Sequence, residues 1–352
     1  MNTFFIAGTQ RSGTTLLSEI LGRHPGIHIG VDSVGFRMIS CFKYYKDVLP
    51  YNLDYSWEEI QSWLISLDYK GRLAEILDYQ NLGDYEDARS VVKNGIEELL
   101  EKNGKAVFGD KTPNIQYFTE DLLALIPDTK IIHIVRDGRS TALSHNLRAG
   151  IDIYLAAQEW VNGNIAGLYS ESLIGKKQYL IIKYEDLLES PEVILKNVCA
   201  FIGLPFHDQL LEETLDKDAS HYVKSGFDLS KIDSFKNELS ARQIRKIEKL
   251  QGPLLKKFGY KTLYEVSNRK HKPMSQIRRL VLNQKDNIKL LFQSKRIGME
   301  SRKNVEVNIS FSIRLKTFIF MLGSDFLPEK VFRYVFRHRW IKDYYMRKKN
   351  AR

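Results

Sequence analysis

From Phe4 the chain reads "FFIAGTQRSGTTLLSEILGRHP". Gly8 and Gly13 have the spacing of G-x-x-x-x-G-K-[ST], a loop whose backbone amides cradle phosphate at a helix N-terminus. Thr14 stands where that motif has its lysine, and Arg11 lies inside the loop. The amides of residues 9–14, around Ser12 and Gly13, make an anion site, and the hydroxyls of Thr14 and Thr15 add donors. A nucleoside triphosphate needs the loop lysine at its terminal phosphates and a partner residue on magnesium. Neither is evident here, so the loop predicts a 5′-phosphate ligand carrying less terminal charge, with Arg11 as its charged donor.

A second constellation is "VRDGRSTALSHNLR". Arg136 leaves an apolar run, and Ser140, Ser144 and Arg148 follow at four-residue intervals, which is one face of a helix. A guanidinium and hydroxyls on a shared face suit a second phosphate. A solvated helix face would give the same spacing. A nucleotide with two separate phosphates accounts for both constellations together. Further polar residues follow other apolar runs: Asp32 after "GIHIG", Lys111 after "AVF", Tyr184 after "YLIIK".

The elements that must position these groups alternate. "TFFIA", "GIHIG", "KAVFGDK", "TKIIHIV" and "QYLIIK" read as buried strands, and "TTLLSEILG", "TEDLLALIPD", "STALSHNLRAG" and the stretch after "SP" at Pro191 read as helices. After "QYLIIK" a loop is expected before that last helix. Alternation of this kind predicts an α/β fold, a parallel sheet flanked by helices, with ligands beyond the carboxyl ends of its strands. Residues 36–105 interrupt the pattern with helical, tyrosine-rich text, read as an insertion that covers the acceptor. Tyr44, Tyr45, Tyr51, Tyr55, Trp57, Trp63 and Tyr69 there could stack on a sugar or phenol, although a core stripe reads the same way. The body is expected to span 1–265. A linker-like stretch then leads into a basic, helical C-terminal extension over 266–352.

At this point the sequence resembles the sulfotransferases that use 3′-phosphoadenosine 5′-phosphosulfate (PAPS). The likeness covers about residues 3–260. Its carriers are "RSGTTLL" at Arg11–Leu17, similar to the family's 5′-phosphosulfate loop, and "VRDGRSTALSHNLR", similar to its 3′-phosphate motif. Within the family the motifs are most similar to the protein-tyrosine sulfotransferases, which share "RSGTTL", the "HP" after it, a K-x-P before a helix, and "VRDGR". The resemblance implies a fold like that of P-loop NTPases and kinases, PAPS as donor, 3′-phosphoadenosine 5′-phosphate (PAP) as product, and no metal. It implies Arg136, Ser144 and Arg148 as 3′-phosphate ligands and Tyr184 near the adenine nucleotide. A late loop, "SKIDSFKNELS" with Ser230, Lys231 and Lys236, would close over the donor.

Sulfuryl transfer to a hydroxyl needs a base for the acceptor proton, cations for charge growing on the sulfuryl and leaving phosphate oxygens, and in-line placement. Asp32 occupies the place of the relatives' glutamate base, with Val31 replacing a neighbouring acid; a helix N-cap is the other reading of Asp32. Lys111 matches the catalytic lysine at the bridging oxygen, and Arg11 shares its duty. His28 is a secondary base candidate, whereas His24 and the strand residue His133 read as structural.

Bulk properties set the outer limits. The chain has 352 residues, 43% hydrophobic and 27% charged, with two cysteines, Cys41 and Cys199. That predicts a globular protein in a reducing compartment, without disulfides, secretory leader or membrane-spanning run, and hence a cytoplasmic location. The net charge of +10 is unevenly placed. Residues 267–352 hold 22 Lys/Arg against 6 Asp/Glu, and the preceding residues 31 against 37. Within 308–349, Val331, Tyr334, Val335, Ile341, Tyr344 and Tyr345 recur at helical spacing among Lys330, Arg333, Arg337, Lys342 and Arg347. Such a segment suits an anionic membrane surface, giving a peripheral association. Packing on the acidic body or on a second subunit, as in a homodimer, is the alternative; nucleic acid is not the expected partner. The acceptor is expected to bear a hydroxyl: a glycan, lipid, tyrosine or metabolite. Two other functions stay open at this stage, a P-loop kinase using magnesium and ATP, and a non-catalytic nucleotide-binding module.

Overall fold

The computed structural model describes residues 1–31, 88–212 and 227–265, together with the backbone of two strands at 295–300 and 303–308. Five strands form one parallel sheet: β1 (Thr3–Ala7), β2 (Ile27–Val31), β3 (Val107–Lys111), β4 (Lys130–Val135) and β5 (Tyr179–Lys183). Their spatial order is β2-β3-β1-β4-β5. Thus β1 runs through the middle, with Ile6 paired to Lys111 on one side and Ala7 to His133 on the other.

The apolar runs are continuous because both faces of the sheet are covered. Successive residues of a strand point to opposite faces, and the packing follows that alternation. Phe4 and Ile6 lie with Leu17, Ile20 and Leu21 of α1 (Thr14–Leu21) and with Leu195, Val198 and Ile202, on the helix that starts at Pro191. Phe5 and Ala7 lie on the other face with Val92, Ile96, Leu99 and Leu100 of α2 (Ala88–Lys102) and with Leu122 of α3 (Thr119–Leu125). Helix α2 falls within the expected insertion, yet it packs on the sheet as part of the core. Residues 36–87, with the aromatic residues named above, lie outside the described residues.

Beyond β4 come α4 (Gly138–Ala149) and α5 (Ile153–Ile174). Asp137 and Asp152 start them by accepting from the amides of Arg139 and Tyr154, which satisfies donors that a helix leaves open. After β5 no loop intervenes: α6 (Tyr184–Glu189) begins at once, and α7 (Pro191–Ile202) follows with proline in its first turn. A short helix α8 (Phe235–Glu238) precedes α9 (Ala241–Lys257), whose N-terminus carries a reciprocal Ser240–Gln243 capping box.

In the extension, β6 (Lys295–Glu300) and β7 (Lys303–Asn308) pair antiparallel, where helical segments were expected. "KNVEVN" alternates Val305 and Val307 with polar residues, a period of two that a helix does not need. The remainder of 308–349 lies outside the described residues. Among the described residues no helix is long and apolar enough to cross a membrane.

Candidate nucleotide and transfer site

The carboxyl ends of the strands carry the candidate residues to one edge. β1 runs into the loop 8–13, β3 ends at Lys111, β4 is followed by Arg136 and β5 by Tyr184. β2 ends at Val31, which is paired to Lys111. Asp32, the expected base, lies outside the described residues.

In the loop, Ser12 folds back on Thr9, its Oγ donating to the Thr9 carbonyl at 2.7 Å. Gly13 has φ +104°, and a Cβ there would lie 2.4 Å from Cδ2 of Tyr184. Glycine is therefore needed both for the backbone turn and for the ring packed against it. Arg11 also has a positive φ, +70°. For a non-glycine residue that is strain of about 1–3 kcal/mol, of the kind found at ligand-binding turns. Thr14 is buried and Thr15 exposed at the first turn of α1. The first-turn amides of a helix have no partner within it, and the positive end of the dipole favours an anion.

Two sets of side chains meet over this loop. In the first, Nε of Arg11 donates to Oγ of Ser144 at 3.2 Å. Burial is the larger cause lowering the pKa of Arg11, with Tyr184 opposing. His145 and Arg148, on the same helix as Ser144, are both lowered, first by burial and then by the charge of Arg11. Nδ1 of His145 lies 3.3 Å from Glu159. The charge of Arg11 thus disfavours further positive charge on this face of the helix, and a phosphate would relieve it.

In the second set, Arg136 is 8% exposed. Its guanidinium lies 4.5 Å from the centroid of the Tyr184 ring. It donates to the carbonyl of Lys231 at 2.9 Å and, more weakly, to that of Arg11 at 3.4 Å. Tyr184 has its pKa raised by burial, with Arg136 opposing. Nε of Arg136 and Oγ of Ser140 are buried with no hydrogen-bond partner among the described residues. Unpaired buried donors are uncommon and call for an acceptor.

The late segment reaches the site differently from the expectation. Lys231 contributes its carbonyl to Arg136, while its ammonium lies 3.5 Å from Asp228. The amide of Ser230 is held by the same aspartate at 2.9 Å. Lys236 pairs with Asp233 on the surface, and Phe235 beside it lies under Arg139.

The histidines separate cleanly. His24 bridges a turn, accepting from Gly26 N–H at Nδ1 and meeting the Pro205 carbonyl at 2.9 Å. His133 is fully buried, hydrogen-bonded to Tyr179 at 2.7 Å, and burial lowers its pKa to about 4. His28 stacks on Phe108, its register partner. At about 3.3 Å per residue, that is three rows, roughly 10 Å, behind Lys111, which is too far for a base at the strand ends.

Several supporting residues carried no signal in the sequence. Asp137, Arg139 and Glu248 form a buried ion triad in which Arg139 bonds both carboxylates. Glu248 also accepts from the amides of Leu263 and Tyr264. Glu185 accepts from Asp137 N–H and from the Tyr260 hydroxyl, and burial raises its pKa. Gln116 holds Gly8. Only the D-x-R within "VRDGR" hinted at any of this, since an N-cap aspartate two residues before an arginine can bind it.

A family model described as "Sulfotransferase family" matches residues 3–208, and one described as "Sulfotransferase domain" matches 165–259. The chain is 27% identical over 243 residues to protein-tyrosine sulfotransferase 1 of Danio rerio, covering 66% of this chain and 61% of that one. It is 27% identical over 245 residues to protein-tyrosine sulfotransferase 2 of Gallus gallus, covering 66% and 58%. The matched region therefore spans about three fifths of these relatives. Among solved structures, the sulfotransferase domain of the Synechococcus PCC 7002 olefin synthase has the same fold, with a TM-score of 0.50 and 22% identity over 74% of this chain and 95% of that one. With more than half of its length inside the first model, the chain belongs to the sulfotransferase family.

Proposed function

We propose that the chain transfers a sulfuryl group from PAPS to an acceptor hydroxyl. The observation that carries this reading is the pairing of a lysine-free phosphate loop with a second cationic cluster, joined by the Arg11–Ser144 hydrogen bond. One cluster suits a 5′-phosphosulfate and the other a 3′-phosphate. The donors of Arg136 and Ser140 that are buried and unpaired among the described residues fit an anionic ligand.

When bound, PAPS supplies the sulfuryl group and a phosphate leaving group. The chain's residues do the rest. The amides at the start of α1 and the hydroxyls of Ser12, Thr14 and Thr15 hold the 5′-phosphate side. Lys111 and Arg11 balance the negative charge that grows on the leaving oxygen, which is the electrostatic share of the catalysis. Arg136, Ser144 and Arg148 hold the 3′-phosphate, and Tyr184 lines the nucleotide beside Gly13. Asp32 takes the acceptor proton. Fixed cations at both ends leave no step that requires a metal.

The acceptor bears a hydroxyl, and tyrosine is the first to try, given the names of the relatives. Residues 308–349 form the candidate contact with an anionic membrane surface or a second subunit. Vesicle co-sedimentation checks the first alternative: binding retained after deletion of 267–352 would remove the membrane role.

Calorimetric titration with PAP, in EDTA, tests the donor assignment. PAP is expected to bind without metal, and Ser144→Ala to weaken it about tenfold through one charge-assisted hydrogen bond. Preference for magnesium and ATP over PAP would overturn the reading in favour of a kinase.

A further inference from the structure

Gln116 lies in the short 3₁₀ helix Ile115–Phe118, five residues after Lys111, and is 2% exposed. Its side-chain amide is used at both ends. Oε1 accepts from the backbone N–H of Gly8 at 3.3 Å, and Nε2 donates to the carbonyl of Gly163 on α5 at 3.3 Å. The carbonyl of Gly8 in turn accepts from Asn114 N–H at 2.9 Å. Both backbone groups of the residue that opens the phosphate loop are thus held by the segment that follows Lys111. The turn itself is anchored: Ser170 and Thr119 hydroxyls donate to the Gln116 carbonyl.

The placement matters because of where the sheet stops. The last paired row between β1 and β3 is Ile6 with Lys111. Beyond it the ladder provides no bond between the loop that carries Arg11 and the strand end that carries Lys111. The bonds at Gly8 are what continue the cross-link past that edge. α5 closes the arrangement from behind. A Cβ on Gly163 would fall 2.4 Å from Cγ2 of Thr9 and 3.2 Å from Nε2 of Gln116, so the helix backbone rests directly on the loop and its tie.

We propose that Gln116 is a positioning residue for sulfuryl transfer: by holding Gly8 to the segment after Lys111, it sets the spacing between Lys111 and the phosphate loop. The inference rests on the role given to Lys111 above. In-line transfer is sensitive to errors near 1 Å, which can cost about 10²-fold, whereas ground-state binding of the nucleotide spreads over many contacts. Loss of the tie therefore reduces turnover more than nucleotide affinity.

The experiment is a double-substitution cycle on the full chain, well below its melting temperature. Release of label from ³⁵S-PAPS is followed with a tyrosine peptide and with water alone as acceptor, and PAP affinity by calorimetry. Gln116→Leu is expected to lower turnover at least tenfold with PAP affinity held within threefold. In the Lys111→Ala background the same substitution is expected to cost less than threefold, because the two act as one unit. Gln116→Glu keeps the oxygen that takes the Gly8 amide. It should retain more turnover than Gln116→Leu, and it carries the cycle if the leucine variant does not fold. Additive losses, or parallel losses of turnover and PAP affinity, would overturn the inference and leave Lys111 in place. A loss below threefold for Lys111→Ala alone would overturn both.

Discussion

At Gly13 a single methyl group would meet two obstacles, a backbone φ of +104° and the Tyr184 ring at 2.4 Å. Gly13→Ala is expected to cost about 1–3 kcal/mol of stability from the backbone alone. It should also weaken PAP binding more than tenfold in calorimetry, because Tyr184 must move and Arg136 packs on it. His133 offers a prediction of a different kind. Its pKa is lowered to about 4 by burial, against 6.5 in an unfolded chain. The unfolded state binds the proton first, so this contribution to stability is present above pH 6.5 and lost as pH falls towards 4. Between pH 7 and pH 5 the loss is about 2 kcal/mol. Urea unfolding of wild type and His133→Leu at both pH values checks it: the variant starts lower, since Tyr179 loses its partner, and its acid limb is shallower by that amount.

Among the elements, the motif "VRDGR" divides into two jobs that look alike in the sequence. Arg136 faces the site and Arg139 the interior. Arg139 joins the start of α4 to α9 through Asp137 and Glu248, and Gln251 of α9 donates to the carbonyls of Gly138 and Ala157. Glu248→Ala leaves a buried guanidinium with one carboxylate and two amides without an acceptor. Removing one partner of a buried pair typically costs about 3–5 kcal/mol, and the shift in urea midpoint at an unchanged slope is the check. Strands and most helices of the body were legible because their apolar runs and caps are local: "TFFIA", "IIHIV" and the glycine after α4 need no tertiary knowledge. The loop and the "VRDGR" face were legible for the same reason. Gln116, Glu248 and Tyr260 were not. Their partners lie 108, 109 and 75 residues away, and a lone glutamine or glutamate carries no periodicity that points to one. The hairpin β6–β7 was not legible because its signal is short, two valines in alternation at Val305 and Val307 within a segment dominated by basic residues.

For the molecule as a whole, every described group assigned to the donor site lies before residue 265, and the extension carries the positive charge. A chain ending at 265 is expected to bind PAP within threefold of the full chain. A larger loss would place part of the donor site in 266–352. Raising salt should then reveal two slopes: weak dependence for PAP, held by partly buried cations, and strong dependence for any anionic surface bound by the extension.

The position of β1 in the sheet has a consequence for how the chain is made. Its partners β3 and β4 begin at Val107 and Lys130. A ribosome adding about 5–20 residues per second needs about 5–20 s to synthesise the roughly 100 residues between Ala7 and Val107. Throughout that interval the apolar "TFFIA" strand has neither neighbour, and the phosphate loop it carries has no wall. Nascent-chain arrest before residue 135 should therefore yield a species that chaperones hold, and that no nucleotide can rescue. Arrest after β5 has emerged should yield one that nucleotide can stabilise.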